Sequence, residues 1–181
     1  MLIGADPRTR PELGQSLWLD VCHGRRDGPP PRVDLEAERR KGQLVRRLIA
    51  EGLVSSVHDV SDGGILITVA EMALAGQIGA RLTVEAFEDE VDREKDQHAW
   101  SMFGENQGRY VVTEPHNQHL VERLALESDV GCCFIGWTGG NAIVIDSRRS
   151  GVICEVSLAN VRAAHEGFFP KLMGSELTPE F

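Results

Sequence analysis

The chain has 181 residues, of which 41% are apolar and 26% charged, and a formal net charge of −9. Such a balance describes a globular domain long enough to bury a core, and it excludes a disordered or fibrous chain. An acidic chain without a basic stripe argues against a nucleic-acid partner. Apolar runs too short to span a bilayer and the lack of a signal peptide argue against a membrane, so the expected location is the cytoplasm.

In chain order, Met1-Leu2-Ile3-Gly4 reads as a strand with no lead-in, as though cut from a longer chain. The stretch from Gly24 to Pro31 is a loop, because its glycines and three consecutive prolines forbid regular structure. Its Arg25 and Arg26 are the kind of exposed pair that usually grips nothing specific. Asp34 opens an amphipathic helix running to about Glu51, with Leu44, Val45, Leu48 and Ile49 as its buried stripe and Gly52 as its stop. Acids near its start (Asp34, Glu36, Glu38) and bases nearer its end (Arg46, Arg47) suit the helix dipole. A strand over 54–57, a helix over 65–75 and a strand over 80–84 follow. The acid-dense run 85–96 reads as a solvated loop, and a short helix is expected to carry Trp100, Met102 and Phe103 inward.

Strands are then predicted over 110–113 and 130–137, with Leu120, Val121 and Leu124 marking a helix between them. Gly139-Gly140-Asn141 reads as a hairpin turn into a strand over 142–145. Val152 to Val156 forms a last strand, and Ser157 caps a closing helix to about His165. Four cysteines, Cys22, Cys132, Cys133 and Cys154, show no metal spacing and read as reduced thiols. Cys132 and Cys133 are adjacent, so in a strand they face opposite ways. Residues 1–173 are thus read as one α+β domain, a mixed β-sheet covered by helices, with 174–181 as a tail.

Two polar knots stand out. In the first, His58-Asp59-Val60-Ser61-Asp62-Gly63-Gly64, a strand ends and the 65–75 helix begins. Asp62 is placed to cap that helix, and Gly63 and Gly64 let backbone amides approach whatever lies in front. Its two carboxylates would repel a bare phosphate and suit one bridged by a divalent cation. The same residues also read as local structure: Asp62 as a cap, His58 as a hydrogen-bonded strand end, Asp59 as a turn former. The second knot, Phe103-Gly104-Glu105-Asn106-Gln107-Gly108-Arg109, leads into a strand. Both are expected to line one shallow cleft.

These two stretches resemble the phosphoribosylformylglycinamidine synthase family. So do Ala70-Glu71-Met72-Ala73, Leu13-Gly14-Gln15-Ser16, Pro29-Pro30-Pro31-Arg32-Val33-Asp34-Leu35 and Arg162-Ala163-Ala164-His165-Glu166-Gly167. The likeness covers nearly the whole chain. It implies the last domain of a longer polypeptide, with a fold similar to the C-terminal domain of aminoimidazole ribonucleotide synthetase. The implied activity is an ATP- and Mg2+-dependent ligase that turns formylglycinamide ribonucleotide into the amidine, with ammonia from glutamine. The implied partners are the ATP-binding half of the same polypeptide, a glutaminase subunit, a small accessory subunit and the ribonucleotide substrate.

By the same resemblance, Glu105, Asn106 and Gln107 match a triplet that contacts substrate in the family's earlier copy of this domain, where a serine is expected in place of Asn106. With Arg109 nearby, and His58, Asp59, Asp62, Gly63 and Gly64 across the first knot, they form the candidate nucleotide- or substrate-binding set. No catalytic residue is assigned and no metal ligand is named. The alternatives are a non-catalytic scaffold or interface domain, or part of another ATP-dependent synthetase or kinase of the same superfamily. The chain alone is expected to fold but not to turn over ATP.

Overall fold

The computed structural model describes residues 1–4, 12–83, 101–147 and 151–174. The acid-dense run 85–96, Trp100 and all of the tail beyond Gly174 lie outside those residues. The strands are β1 (Leu2–Ile3), β2 (Ser56–Asp59), β3 (Ala80–Thr83), β4 (Tyr110–Thr113), β5 (Cys132–Cys133), β6 (Gly136–Thr138), β7 (Ala142–Ser147) and β8 (Gly151–Ser157). The helices are α1 (Leu17–His23), α2 (Leu35–Ala50), α3 (Gly64–Gly76), α4 (Gln118–Glu127), α5 (Leu158–Glu166) and α6 (Phe168–Leu172).

The α+β class holds, but the strands divide between two four-stranded sheets, ordered β2-β4-β1-β5 and β6-β3-β7-β8. The first is antiparallel throughout. The second is mixed, since β3 runs parallel to β7 and antiparallel to β6. A single strand over 130–137 does not form. At Gly136 the backbone turns to a φ of 153°, and a Cβ there would lie 1.9 Å from Arg81 O, a contact only glycine allows. Cys132–Cys133 therefore pairs in the first sheet and Gly136–Thr138 in the second. The expected hairpin at 139–141 is also absent. β3 lies between β6 and β7, and the turn instead clasps the start of β3 through Gly79 N to Gly140 O and Gly139 N to Gly79 O.

The first sheet packs on both faces along β1, β4 and β5, while β2 at its edge is half-exposed. Ile3, Val112 and Cys132 face α2 and α4, where Leu44, Val45, Leu48, Val121 and Leu124 complete one core. Their chain neighbours Leu2, Val111 and Cys133 face the other way, against Ile65 and Val69 of α3 and Leu82 and Ile135 beside the second sheet. The cysteine pair thus splits between two cores, as strand alternation requires.

The α2 stripe is narrower than expected, since Ile49 is 54% exposed. Its ends follow the sequence signals. Asp34 accepts from Glu36 N and Ala37 N, while Gly52 N and Leu53 N close back on Ile49 O and Leu48 O. Ser157 caps α5 by accepting from Asn160 N. Among the described residues no helix is long and apolar enough to cross a membrane.

Candidate functional site

The strand β2 reaches further than expected, so His58 and Asp59 lie inside it and Val60 N is held by Arg109 O as the strand ends. Gly63 and Gly64 then take φ values of 77° and 71°, and α3 starts at Gly64. Two consecutive left-handed residues strongly favour glycine. A Cβ on Gly64 would also stand 2.7 Å from Met102 O and 2.8 Å from Gly104 O. What lies in front of these glycines is the second knot itself.

Asp62 does not cap α3. The N-cap is Gly63, no side chain of the turn accepts its amides, and Asp62 is exposed. The left-handed pair swings the chain so that the cap comes from elsewhere. Glu105 Oε1 accepts from Gly63 N at 2.8 Å, and the same oxygen accepts from Leu17 N, the first residue of α1, at 2.8 Å. One carboxylate thus serves two helix N-termini, where a negative charge is favoured. Sequence reasoning missed this role, because it joins residues 42 and 88 positions apart.

Asn106 and Arg109 of the second knot are also turned inward. Asn106 Oδ1 accepts from Glu12 N at 3.3 Å. Arg109 is only 7% exposed; its Nε donates to Asn106 O at 3.2 Å and an Nη to Gly104 O. Burial lowers the Arg109 guanidinium to about 10, far below its ordinary value. Gln107 is the exposed member of the triplet.

The first knot behaves differently. Asp59 and Asp62 are exposed. His58 lies half-buried, with Nδ1 2.7 Å from Asp59 O and Nε2 3.4 Å from Glu71 Oε2. Buried Thr68 binds the turn to the helix, donating to Gly64 O at 3.0 Å and lying 3.3 Å from Asp59 O. The structure therefore brings the two knots into direct contact through Gly63, Gly64 and Glu105. It leaves Asp59, Asp62 and Gln107 facing solvent. Arg25 and Arg26 grip only local carboxylates, Asp27 at 2.7 Å and Asp20 at 2.8 Å.

The profile of the AIR synthase related protein C-terminal domain matches residues 2–146. The chain is 41% identical to the phosphoribosylformylglycinamidine synthase subunit PurL of Rhizobium meliloti over 181 residues, covering 99% of this chain and 23% of that one. It is 44% identical to the subunit of the same name from Rhodopseudomonas palustris over 177 residues, covering 97% and 22%. T. maritima PurL complexed with ADP superposes with a TM-score of 0.66 at 19% identity, over 88% of this chain and 24% of that one. At that identity the likeness is one of fold. The chain spans less than a quarter of the length of these PurL relatives.

Proposed function

Because the chain belongs to the family of AIR synthase related protein C-terminal domains, we propose that it is the C-terminal domain of a phosphoribosylformylglycinamidine synthase. The observation that carries this reading is the 41% identity to a PurL subunit across nearly all of the chain. In this reading the complete polypeptide, in the cytoplasm, joins formylglycinamide ribonucleotide to ammonia released from glutamine by a glutaminase subunit. A small accessory subunit completes the assembly, and ATP with Mg2+ is consumed to give the amidine, ADP and phosphate.

The groups of this chain do not fit a complete magnesium–triphosphate clamp. The amide at the start of α3 is already held by Glu105, and Arg109 is turned onto backbone carbonyls. Among the described residues no three His, Cys, Asp or Glu side chains lie together as metal ligands would. Phosphoryl transfer is mainly positioning and charge neutralisation, so triphosphate and metal belong to another part of the polypeptide. This domain contributes Asp59, Asp62 and Gln107 from its exposed side. Glu105, Asn106 and Arg109 position the loop that presents them, while His58, Gly63 and Gly64 shape the facing turn.

The scaffold reading rests on the same inward-turned groups and differs only in giving the exposed ones no ligand. The test is formation of the amidine by the complete reading frame, set against the 181-residue chain alone. The complete polypeptide is expected to be active with ammonia and Mg-ATP. The isolated chain is expected to show neither phosphate release nor micromolar ATP binding by calorimetry. Turnover by the isolated chain, abolished by Asp62→Ala, would overturn this division of labour.

A further inference from the structure

The two ends of the chain are covered very differently. The profile match stops at residue 146, while the PurL match runs on through nearly the whole chain. What lies beyond the profile is β8, α5 and α6, and none of their residues is buried. Apolar side chains stand open there: Val152 and Ile153 are each 53% exposed, Phe168 59%, Phe169 66%, Leu172 69% and Met173 77%. β8 is an edge strand with β7 as its partner, and its outer edge pairs with no described strand. A long apolar edge left open is an aggregation hazard that proteins normally cover.

Next to this edge is an open groove of about 490 Å3 between α3, α5 and the β7–β8 pair. Leu66, Ile67, Leu74, Ile145, Cys154 and Val161 line it. α3 is thus apolar on two sides: Ile65 and Val69 enter the core, while Ile67 and Leu74 line the groove. A helix apolar on both sides is one made to be buried on both. Exposed apolar surface of this extent marks an interaction site.

We infer that the surface formed by β8, α5, α6 and this groove is the docking face for the remaining part of the same polypeptide. The inference rests on the proposed function, which makes the chain one domain of a longer enzyme. Two observations choose this occupant over a second copy or a separate protein. The exposed elements lie outside the general domain profile but inside the match to PurL subunits. Those subunits also carry more than three-quarters of their length outside the matched part, against which such a face can close. The occupant presents apolar side chains to the groove and backbone to the outer edge of β8, as strand addition does.

Cys154 makes the test direct, since it lies in β8, lines the groove and is exposed. Maleimide labelling of Cys154 is read by mass spectrometry, relative to the same thiol in denatured protein, in the 181-residue chain and in the complete reading frame. The expected result is ready labelling in the chain and at least tenfold slower labelling in the complete polypeptide. Phe169→Asp in the complete polypeptide is expected to restore labelling while leaving the melting temperature of the isolated chain unchanged. Equal labelling in both forms overturns the proposal. So does protection in the isolated chain that grows with its concentration, which would mark a second copy, or protection that appears only on adding a separate subunit. Labelling is read without any assay of activity. A complete polypeptide that protects Cys154 but makes no amidine would retain the docking face and refute the proposed reaction.

Discussion

The two glycine-flanked polar turns look alike in sequence, yet they spend their polar groups in opposite directions. The loop from Gly104 to Arg109 turns Glu105, Asn106 and Arg109 inward, onto two helix starts, the Glu12 amide and two backbone carbonyls. The turn from Asp59 to Gly64 turns Asp59 and Asp62 outward and receives its cap from the other loop. The contrast shows how one loop frees another. Because Glu105 satisfies the Gly63 amide, Asp62 is not needed as a cap and stays available to solvent or ligand. A polar residue at a helix start is therefore a poor guide to its role until the partner of the amide is known.

The largest effect is expected where the inward loop is most buried. Arg109→Ala strands Gly104 O and Asn106 O and should lower stability by about 2–3 kcal/mol, read as the urea midpoint. A loss below about 0.5 kcal/mol would show that water replaces the guanidinium, and the contrast between the turns would weaken.

Alkaline pH sharpens the same point. Burial raises the Cys133 thiol from its ordinary 9.0 to about 11, so between those values the unfolded chain has lost a proton that the folded chain keeps. Stability therefore falls as pH rises through that window, by about 2–3 kcal/mol in all. Arg109 has the opposite sign. Burial lowers its guanidinium to about 10, and above that pH the unfolded chain holds the extra proton, so stability rises. Unfolding followed from pH 8.5 to 10 reads the buried thiols, since burial raises Cys132 as well, and Cys133→Ala should flatten most of that fall. An unchanged slope in the variant would remove Cys133 as its cause.

Glu105 comes next. Glu105→Ala removes the acceptor for Gly63 N and Leu17 N and should cost about 1–2 kcal/mol, whereas Glu105→Gln keeps an acceptor oxygen and should cost less. Limited proteolysis gives a second readout, since the alanine variant should expose the segment around α1 to cleavage before the rest unfolds. Equal losses in the two variants would show that the charge and not the acceptor holds the helices.

Much of the frame was legible from local signals. The α2 boundaries follow from Asp34 and Gly52, the start of α5 follows from Ser157, and the opposite facing of Cys132 and Cys133 follows from strand alternation. What was not legible is long-range. Nothing near residue 139 announces that β3 will enter between β6 and β7, because strand order depends on which edges meet after the chain folds. The apolar run 130–137 hides its break, since Gly136 is marked only by the carbonyl of Arg81 that presses on it. The cap of α3 was misassigned for the same reason. Asp62 satisfies every local rule, and the competitor that displaces it lies 42 residues from Gly63.

The smallest effect on stability, and the one most informative about function, is expected at Asp62. Its side chain is exposed and caps nothing. Asp62→Ala should therefore change the unfolding free energy by less than about 0.5 kcal/mol, as surface substitutions away from special features do. If the exposed side of the first turn faces ligand across the domain junction, the same change in the complete polypeptide should raise KM for Mg-ATP or the ribonucleotide several-fold while leaving kcat nearly unchanged. That pattern marks lost binding shared by ground and transition states. The comparison to make is with Glu105→Gln, which acts through the loop and should disturb stability and kinetics together. A destabilisation above 1 kcal/mol in Asp62→Ala would show that this turn, like its neighbour, is spent on structure. Unchanged stability with unchanged KM and kcat would leave the outward carboxylate without a ligand, and the domain would then serve the enzyme as a scaffold.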